Sequence, residues 1–278
     1  MMHAISLLTG ALAGAHAATW GAYKDSIYEG FSGWKVARSI VIGAVAGGLL
    51  GPFVVAEAGL PPWLLLLFGC VYVTERGVFE LYKTFLRQED QSKYHIPMQF
   101  HVLGHVVESR GARVAAGVAL ALFLGLVIYV VRSIELPATI IALEVAALIG
   151  IAAGLISAIM GAWKDAPIEG FETLKFLRSP TIALAYAVML APLTRDLLVL
   201  GVASLGYTIA SIETYKTFVD GRPPGKFAGK PIQYPALLGR RRRFLPFFAA
   251  IWLGIALTAA IAWHAEGMRW ILVQLARR

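Results

Sequence analysis

The sequence is short of charged residues and of cysteine, and each shortage excludes a class of protein. Only 15% of the 278 residues are charged, whereas soluble domains carry about 25%. Such a chain has too few polar groups to cover a surface in water, so lipid must form much of its surroundings. The single cysteine, Cys70, excludes an internal disulfide and a cysteine metal cluster.

Acidic residues are scarcer than basic ones, with 17 against 25 and a net charge of +8. In a soluble protein this balance can indicate nucleic acid binding. Here the basic residues concentrate in a few short loops between apolar runs, which is the pattern of membrane topology. With 58% hydrophobic residues and a mean hydropathy of +0.68, the sequence predicts an all-α polytopic membrane protein that binds no nucleic acid.

A charged motif occurs twice in the chain. Residues 21–31 and 161–171 share Gly-Ala, Lys-Asp and Glu-Gly-Phe at an offset of 140, and the match continues through Lys35, Arg38 and Ser39 to their counterparts Lys175, Arg178 and Ser179. A Glu-x-Tyr-Lys-Thr-Phe block repeats at residues 80–85 and 213–218, at an offset of 133. The shared positions include charged residues, so common hydrophobicity alone does not explain them. The sequence therefore predicts an internal duplication.

Hydropathy predicts about eight transmembrane helices in two tandem four-helix repeats. The first repeat covers residues 1–136 and the second 137–265, while an amphipathic segment, 266–278, is expected at the membrane interface. Four spans is an even number, so both repeats have one orientation, with a pseudo-twofold axis along the membrane normal. The motif loops hold most basic residues, so we expect them in the cytoplasm and the N-terminus outside. The expected location is a bacterial or archaeal cytoplasmic membrane.

Small residues recur every four positions on one face of the first and fifth predicted helices. The positions are Gly10, Gly14, Ala18 and Ala22 in helix 1, and Gly150, Gly154, Ala158 and Ala162 in helix 5. Such stripes let helix backbones approach closely in lipid. We expect helices 1 and 5 to pack in the centre of the molecule. The alternative is that each stripe packs against a helix of its own repeat.

The duplicated blocks predict a layer of charged side chains at the cytoplasmic mouth. Its members are Lys24, Asp25, Glu29, Arg38, Glu80 and Lys83 in the first repeat, and Lys164, Asp165, Glu169, Arg178, Glu213 and Lys216 in the second. Ionisable groups at a bilayer are costly and usually mark a site. Basic residues beside carboxylates suit a phosphate or carboxylate group, so these are candidate substrate-binding residues. The alternative, in which the basic residues only reach lipid headgroups, does not explain the matched acids.

A pair of histidines raises the separate hypothesis of a metal site. His101, His105 and Glu108 would share one face if this loop were helical, and imidazole with carboxylate can bind zinc or iron. No fourth ligand is evident, and the second repeat has nothing similar. No cofactor is predicted apart from this candidate metal, and the alternative is a loop helix facing solvent or headgroups.

Three functions fit these patterns. The first is a transporter or lipid-headgroup translocator for an anionic substrate, favoured by the matched charges of both repeats. The second is a membrane enzyme acting on a lipid or isoprenoid phosphate, with Asp25, Glu29 and His101 as base or metal ligands. The third is an assembly subunit of a membrane complex. The expected partners are lipids with anionic headgroups, a second copy of the chain, or a partner membrane subunit.

Overall fold

Long α-helices make up most of the chain in the computed structural model, which describes residues 1–54, 59–134 and 141–276. The helices are α1 (Met2–Glu29), α2 (Gly33–Leu50), α3 (Leu60–Leu81), α4 (Arg110–Arg132), α5 (Leu143–Glu169), α6 (Thr173–Leu190), α7 (Leu197–Thr214), α8 (Leu237–Arg240) and α9 (Leu245–Ala276). One small hairpin, β1 (His101–Val102) and β2 (His105–Val106), precedes α4. The fold is all-α, as the sequence predicts. The predicted repeat boundary, between residues 136 and 137, lies outside the described residues.

Six helical segments of the described chain are long and apolar enough to cross a membrane. They are Gly33–Phe53, Arg110–Arg132, Leu143–Glu169, Thr173–Leu193, Leu197–Val219 and Leu237–His264. Their length and composition indicate an integral membrane protein. The other two predicted spans correspond to α1 and α3, which are not among the six.

The repeated sequence blocks adopt the same local backbone. α1 ends before Gly30 and α5 ends before Gly170, and these glycines have positive φ angles of 79° and 85°. Glycine adopts this conformation without the steric cost of a Cβ. α3 and α7 each continue into a π-helical turn, over Tyr82–Leu86 and Tyr215–Val219. The matched motifs therefore end their helices in matched ways.

The small-residue stripes pack within each half of the chain. A Cβ on Gly10 of α1 would overlap the carbonyl oxygen of Gly43 in α2. Gly154 of α5 lies against the backbone of Ser179 and Pro180 in α6. The prediction that helices 1 and 5 pack in the centre is therefore wrong. A stripe of small residues favours close approach of two backbones, but it does not specify which backbone approaches.

The centre of the molecule is formed by α3 and α7. Gly69 and Gly206 meet there, and a Cβ on Gly206 would overlap the carbonyl oxygen of Gly69. The hydroxyl of Tyr207 donates a hydrogen bond to the carbonyl oxygen of Leu65, 2.9 Å away. These contacts hold the two halves together through their third helices.

Charged side chains concentrate at one end of this helix bundle. Salt bridges described below bring the C-terminal ends of α1, α3, α5 and α7 into one layer. At the opposite end, Arg132 in the last turn of α4 pairs with Asp196 before α7, with 3.1 Å between Nη1 and Oδ2.

The last helix continues past the predicted boundary at residue 265. α9 runs without a break from Leu245 to Ala276, so the predicted interfacial segment is the end of this helix. Trp270 is buried there, and its indole Nε1 donates a hydrogen bond to the carbonyl oxygen of Ile141, 2.9 Å away. Gly267 does not end the helix, because one glycine costs only about 1 kcal/mol in a helix interior.

Candidate functional site

Two ion pairs cross between the halves of the chain. Lys24 Nζ lies 2.8 Å from Glu213 Oε2, and Lys164 Nζ lies 3.5 Å from Glu80 Oε2. In the repeated blocks Lys24 corresponds to Lys164, and Glu80 corresponds to Glu213. Each lysine therefore binds the carboxylate of the other half.

A second lysine lies beside each of these carboxylates. Glu80 Oε1 accepts a hydrogen bond from Lys83 Nζ at 3.2 Å, and Glu213 Oε1 lies 3.8 Å from Lys216 Nζ. Each lysine follows its glutamate by three residues, which places both on one helix face. Each carboxylate is thus held between two ammonium groups. We call the six residues the ionic layer: Lys24, Glu80, Lys83, Lys164, Glu213 and Lys216.

The acids at the ends of α1 and α5 bind lysines from the following helix. Lys35 Nζ lies 2.7 Å from Glu29 Oε2, and Lys175 Nζ lies 2.9 Å from Glu169 Oε2. Lys175 Nζ also lies 3.0 Å from Asp165 Oδ2. In both halves this pair closes the short turn between two helices.

A lysine from the loop after α7 reaches into the first half. Lys226 Nζ lies 2.9 Å from Asp25 Oδ2 and 3.2 Å from Glu29 Oε1. Burial disfavours the ammonium ion, but the two carboxylates outweigh this effect, so the pKa of Lys226 is raised and it stays charged. The neighbouring Phe227 stacks on Tyr28. Sequence analysis missed this contact because Lys226 lies outside the repeated blocks.

A pocket of about 410 Å³ opens among these side chains. Its charged lining consists of nine cations, Lys24, Lys35, Arg38, Arg76, Lys83, Arg87, Lys164, Lys216 and Lys226, and five acids, Asp25, Glu29, Glu80, Asp165 and Glu213. The excess of four positive charges suits an anionic group. Ten of the twelve predicted binding residues line this larger pocket, and Glu169 and Arg178 do not.

A smaller pocket of about 140 Å³ lies between α5, α6 and α7. Its charged lining is balanced, with Lys175, Arg178 and Lys216 against Asp165, Glu172 and Glu213. The two pockets therefore differ in charge, although the repeated blocks that contribute to them match.

The predicted binding residues leave out Glu75, Arg76 and Arg87 of the first half. Glu75 of α3 is fully buried, and its Oε2 lies 3.6 Å from Arg76 Nε. Arg87 follows the π-helical turn and pairs with Glu89, with 2.6 Å between Nη1 and Oε2. A carboxylate inside an apolar helix was a usable signal for Glu75. Arg87 had no such signal, since basic loop residues are common.

The predicted histidine helix is a hairpin instead. β1 and β2 pair antiparallel, with His101 opposite Val106 and His105 opposite Val102. Leu103 and the glycine after it have positive φ angles of 50° and 86°, and this conformation interrupts a right-handed helix. The prediction that His101, His105 and Glu108 share a helical face is therefore wrong.

The two histidines have different surroundings. His101 is buried and its ring stacks on Trp163, with 5.2 Å between ring centroids, whereas His105 and Glu108 are exposed. Burial, together with the charge of Lys164, lowers the pKa of His101, so its ring is neutral at neutral pH. Within the described parts of the chain, no three His, Cys, Asp or Glu side chains are grouped to hold a metal ion.

The comparisons with known proteins assign no family to the chain. No family model matches the sequence, and no curated protein or solved structure gives a significant match.

Proposed function

We propose that the protein is a membrane transporter, or a translocator of lipid headgroups, for a substrate that carries a phosphate or carboxylate group. The substrate binds in the larger pocket, against the ionic layer. The observation that carries this proposal is the excess of four positive charges in a pocket lined by both halves of the chain. Such an excess attracts an anion, and several cations can then replace the water around it with charge-assisted hydrogen bonds.

The proposed protein consists of two tandem four-helix repeats, residues 1–136 and 137–265, with eight membrane spans. The matched helix ends support this architecture, as do the crossed pairs Lys24–Glu213 and Lys164–Glu80. Two copies in one orientation, related by an axis along the membrane normal, produce such reciprocal contacts. α1 has 28 residues, about 42 Å of helix, which is enough to cross a bilayer.

The ionic layer faces the cytoplasm in this proposal, and the N-terminus is outside. The exposed arginines Arg240, Arg242 and Arg243 follow the loop on the side of the ionic layer. At the other end the described charges include Arg132, which is paired with Asp196. A cytoplasmic location for the more basic side follows the positive-inside rule. Anionic lipid headgroups are then the neighbours of this surface.

Substrate binding is coupled to movement through the crossed ion pairs. An anion in the pocket competes with Glu213 for Lys24 and with Glu80 for Lys164. Because these pairs join the two halves, their loss favours an arrangement in which the halves have moved apart at this end. A substrate that binds the two arrangements differently shifts the balance between them.

Flux through proteoliposomes tests this proposal. The probes are radiolabelled inorganic phosphate, radiolabelled succinate and a fluorescent phospholipid, each measured with wild type and with Lys24→Ala/Lys164→Ala. We expect at least one probe to cross with wild type and at least tenfold less of it with the double variant.

The matched control is Arg240→Ala/Arg242→Ala, which removes the same number of positive charges from two exposed positions between α7 and α9 and is expected to keep the flux. Gel filtration and thermal unfolding verify that both variants are folded. Flux no greater than in protein-free liposomes for all three probes would overturn the proposal.

A membrane enzyme acting on a lipid phosphate is the second candidate. One observation favours it: Glu75 is fully buried near the larger pocket, and the equivalent residue of the second half is Thr208. A catalytic reaction needs its general acid or base in only one of the two halves, so an unmatched carboxylate favours an enzyme. Mass spectrometry of the recovered lipids from the same proteoliposomes identifies a reaction product if this candidate is correct.

A further inference from the structure

The first half carries three arginines where the equivalent residues of the second half have no net charge. Arg38, Arg76 and Arg87 line the larger pocket. In the second half, Arg178 is equivalent to Arg38, Ile209 to Arg76 and Asp220 to Arg87. The first set has three positive charges, whereas the second has one positive charge, one neutral residue and one negative charge. The two halves are therefore not equivalent as binding sites.

Two of the arginines share one aromatic ring. The guanidinium carbon of Arg38 lies 4.3 Å from the ring centroid of Phe79, and that of Arg76 lies 5.8 Å from the same centroid. Arg87 lines the same pocket. Two cations that share one ring repel each other, and a bound anion lessens that repulsion.

Several donors of these arginines are buried and have no acceptor among the residues that the structure describes. They are Nε of Arg38 and both Nε and Nη2 of Arg87. Arg87 uses Nη1 for Glu89, and no described carboxylate lies within ion-pair distance of Arg38. Buried donors are normally paired, because an unpaired one costs about 1–3 kcal/mol. The two arginines that carry these donors line the same pocket.

We infer that Arg38, Arg76 and Arg87 form a phosphate-binding subsite, and that the second half has no such subsite. This inference rests on the proposed function and specifies its substrate as a phosphate compound, not a carboxylate. The planar guanidinium donates two parallel hydrogen bonds to a phosphate, and several arginines match the two negative charges of a phosphomonoester. Arg178 also has an unpaired Nε, but its neighbours at the equivalent positions are not cations.

The phosphate belongs either to a free anion or to a lipid headgroup. The rim of the pocket includes Phe31 and Tyr82, which are 51% and 46% exposed. These exposed aromatic side chains border the pocket where α1 turns into α2 and where α3 ends. The shared chemistry is the phosphomonoester, and the two sources require separate probes.

Binding to the full chain in nanodiscs tests the inference. One arm titrates inorganic phosphate into phosphatidylcholine nanodiscs, and a second arm incorporates phosphatidic acid, a lipid phosphomonoester. The first-half variants are Arg87→Met and the double Glu75→Gln/Arg76→Met, which avoids leaving Glu75 buried without its partner. The matched variants are Arg178→Met in the second half and Arg222→Met, whose side chain is 80% exposed.

We expect each first-half variant to weaken binding of the bound probe by about 10- to 100-fold, the loss of one or two charge-assisted hydrogen bonds. Arg178→Met and Arg222→Met are expected to stay within about twofold of wild type, since neither removes a cation of the subsite. Arg87→Lys keeps the positive charge but loses the planar guanidinium that donates two parallel hydrogen bonds. This variant is expected to bind phosphate severalfold more weakly than wild type while remaining folded. Binding in only one arm identifies the source of the phosphate.

Three results would overturn the inference: equal weakening by Arg178→Met, succinate binding as tight as phosphate, or no binding of either phosphate probe by wild type. The test is distinguishable from that of the proposed function. Phosphate binding that depends on Arg87 without any flux contradicts transport alone. Flux that survives Arg87→Met and Glu75→Gln/Arg76→Met contradicts the subsite alone.

Discussion

Lys24 and Glu213 illustrate how charge is buried in this protein. Their side chains are 15% and 17% exposed, and their charged atoms are 2.8 Å apart. Removing two ions from water is costly, and their attraction offsets this cost only while both are present. This crossed pair is therefore sensitive to loss of one partner, even if the pair itself adds little to stability.

We predict that Lys24→Met destabilises the protein by about 2 to 3 kcal/mol, because it leaves Glu213 buried with only Lys216 beside it. The double variant Lys24→Met/Glu213→Gln is expected to recover at least half of this loss, since it removes both charges. Thermal unfolding in detergent measures the difference.

The matched control is Lys93→Met. Lys93 also pairs with a glutamate, Glu89, but its side chain is 45% exposed, so its loss is expected to cost less than about 1 kcal/mol. Equal stability of Lys24→Met and wild type, or a double variant no more stable than the single one, contradicts this account of the crossed pair.

At the scale of elements, glycine decides which helices approach closely. Gly69 of α3 lies against Ala203 of α7, whereas Gly77 of the same helix has open space where a Cβ would be. The two positions share a helix and a residue type, and they differ in what surrounds them. They separate the effect of packing from the effect of helix propensity.

We predict that Gly69→Ala destabilises the protein by about 2 kcal/mol, because the added methyl group forces α3 and α7 apart. Gly77→Ala is expected to stabilise it by up to about 1 kcal/mol, since alanine has the higher helix propensity. Thermal unfolding of the two variants, measured side by side, gives the comparison. A loss of stability in Gly77→Ala equal to that in Gly69→Ala contradicts a close α3–α7 contact.

The loops also cross between the halves. The loop after α3 places Phe100 and His101 against Trp163 of α5. The loop after α7 contacts α1, where the backbone N–H groups of Gln233 and Tyr234 both donate to the carbonyl oxygen of Ile27 at 3.0 Å. Each loop thus covers the end of a helix from the opposite half. If one half moves against the other, these contacts either break or the loops move together with the helices that they contact.

At the scale of the whole molecule, the proposed topology fixes which loops share a side of the membrane. Residues 3 and 133 are separated by four helices and lie at the end opposite the ionic layer, whereas residue 92 lies in the loop on the side of the ionic layer. Because α1 and α3 are the two helices outside the six candidate spans, the sidedness of these positions tests whether they cross.

We predict that a membrane-impermeant maleimide labels His3→Cys and Ser133→Cys from outside the cell, and Ser92→Cys only in inverted vesicles. The three positions are exposed, and the single native cysteine is removed by Cys70→Ala in every variant. The Cys70→Ala protein without a new cysteine is the control for background labelling. Labelling of His3→Cys and Ser92→Cys from the same side excludes three spans between them.

Local pattern in the sequence determined the class of the protein and the composition of its charged layer. Long apolar runs require helices in lipid, because backbone groups find no other hydrogen-bond partner there. The repeated Lys-Asp and Glu-x-Tyr-Lys-Thr-Phe blocks identified ten of the residues that line the larger pocket. The matched π-helical turns follow from the same repeated residues.

Tertiary structure decided everything that depends on which surfaces meet. It packed the small-residue stripe of α1, which includes Gly10, against α2. It also brought Lys226 from a distant loop to Asp25. It also replaced the expected histidine helix by a hairpin with His101 stacked on Trp163. A sequence pattern records the chemistry of each face, but residues far apart in the chain meet only through packing, so pairing and the charge of the pocket appeared only in the folded chain.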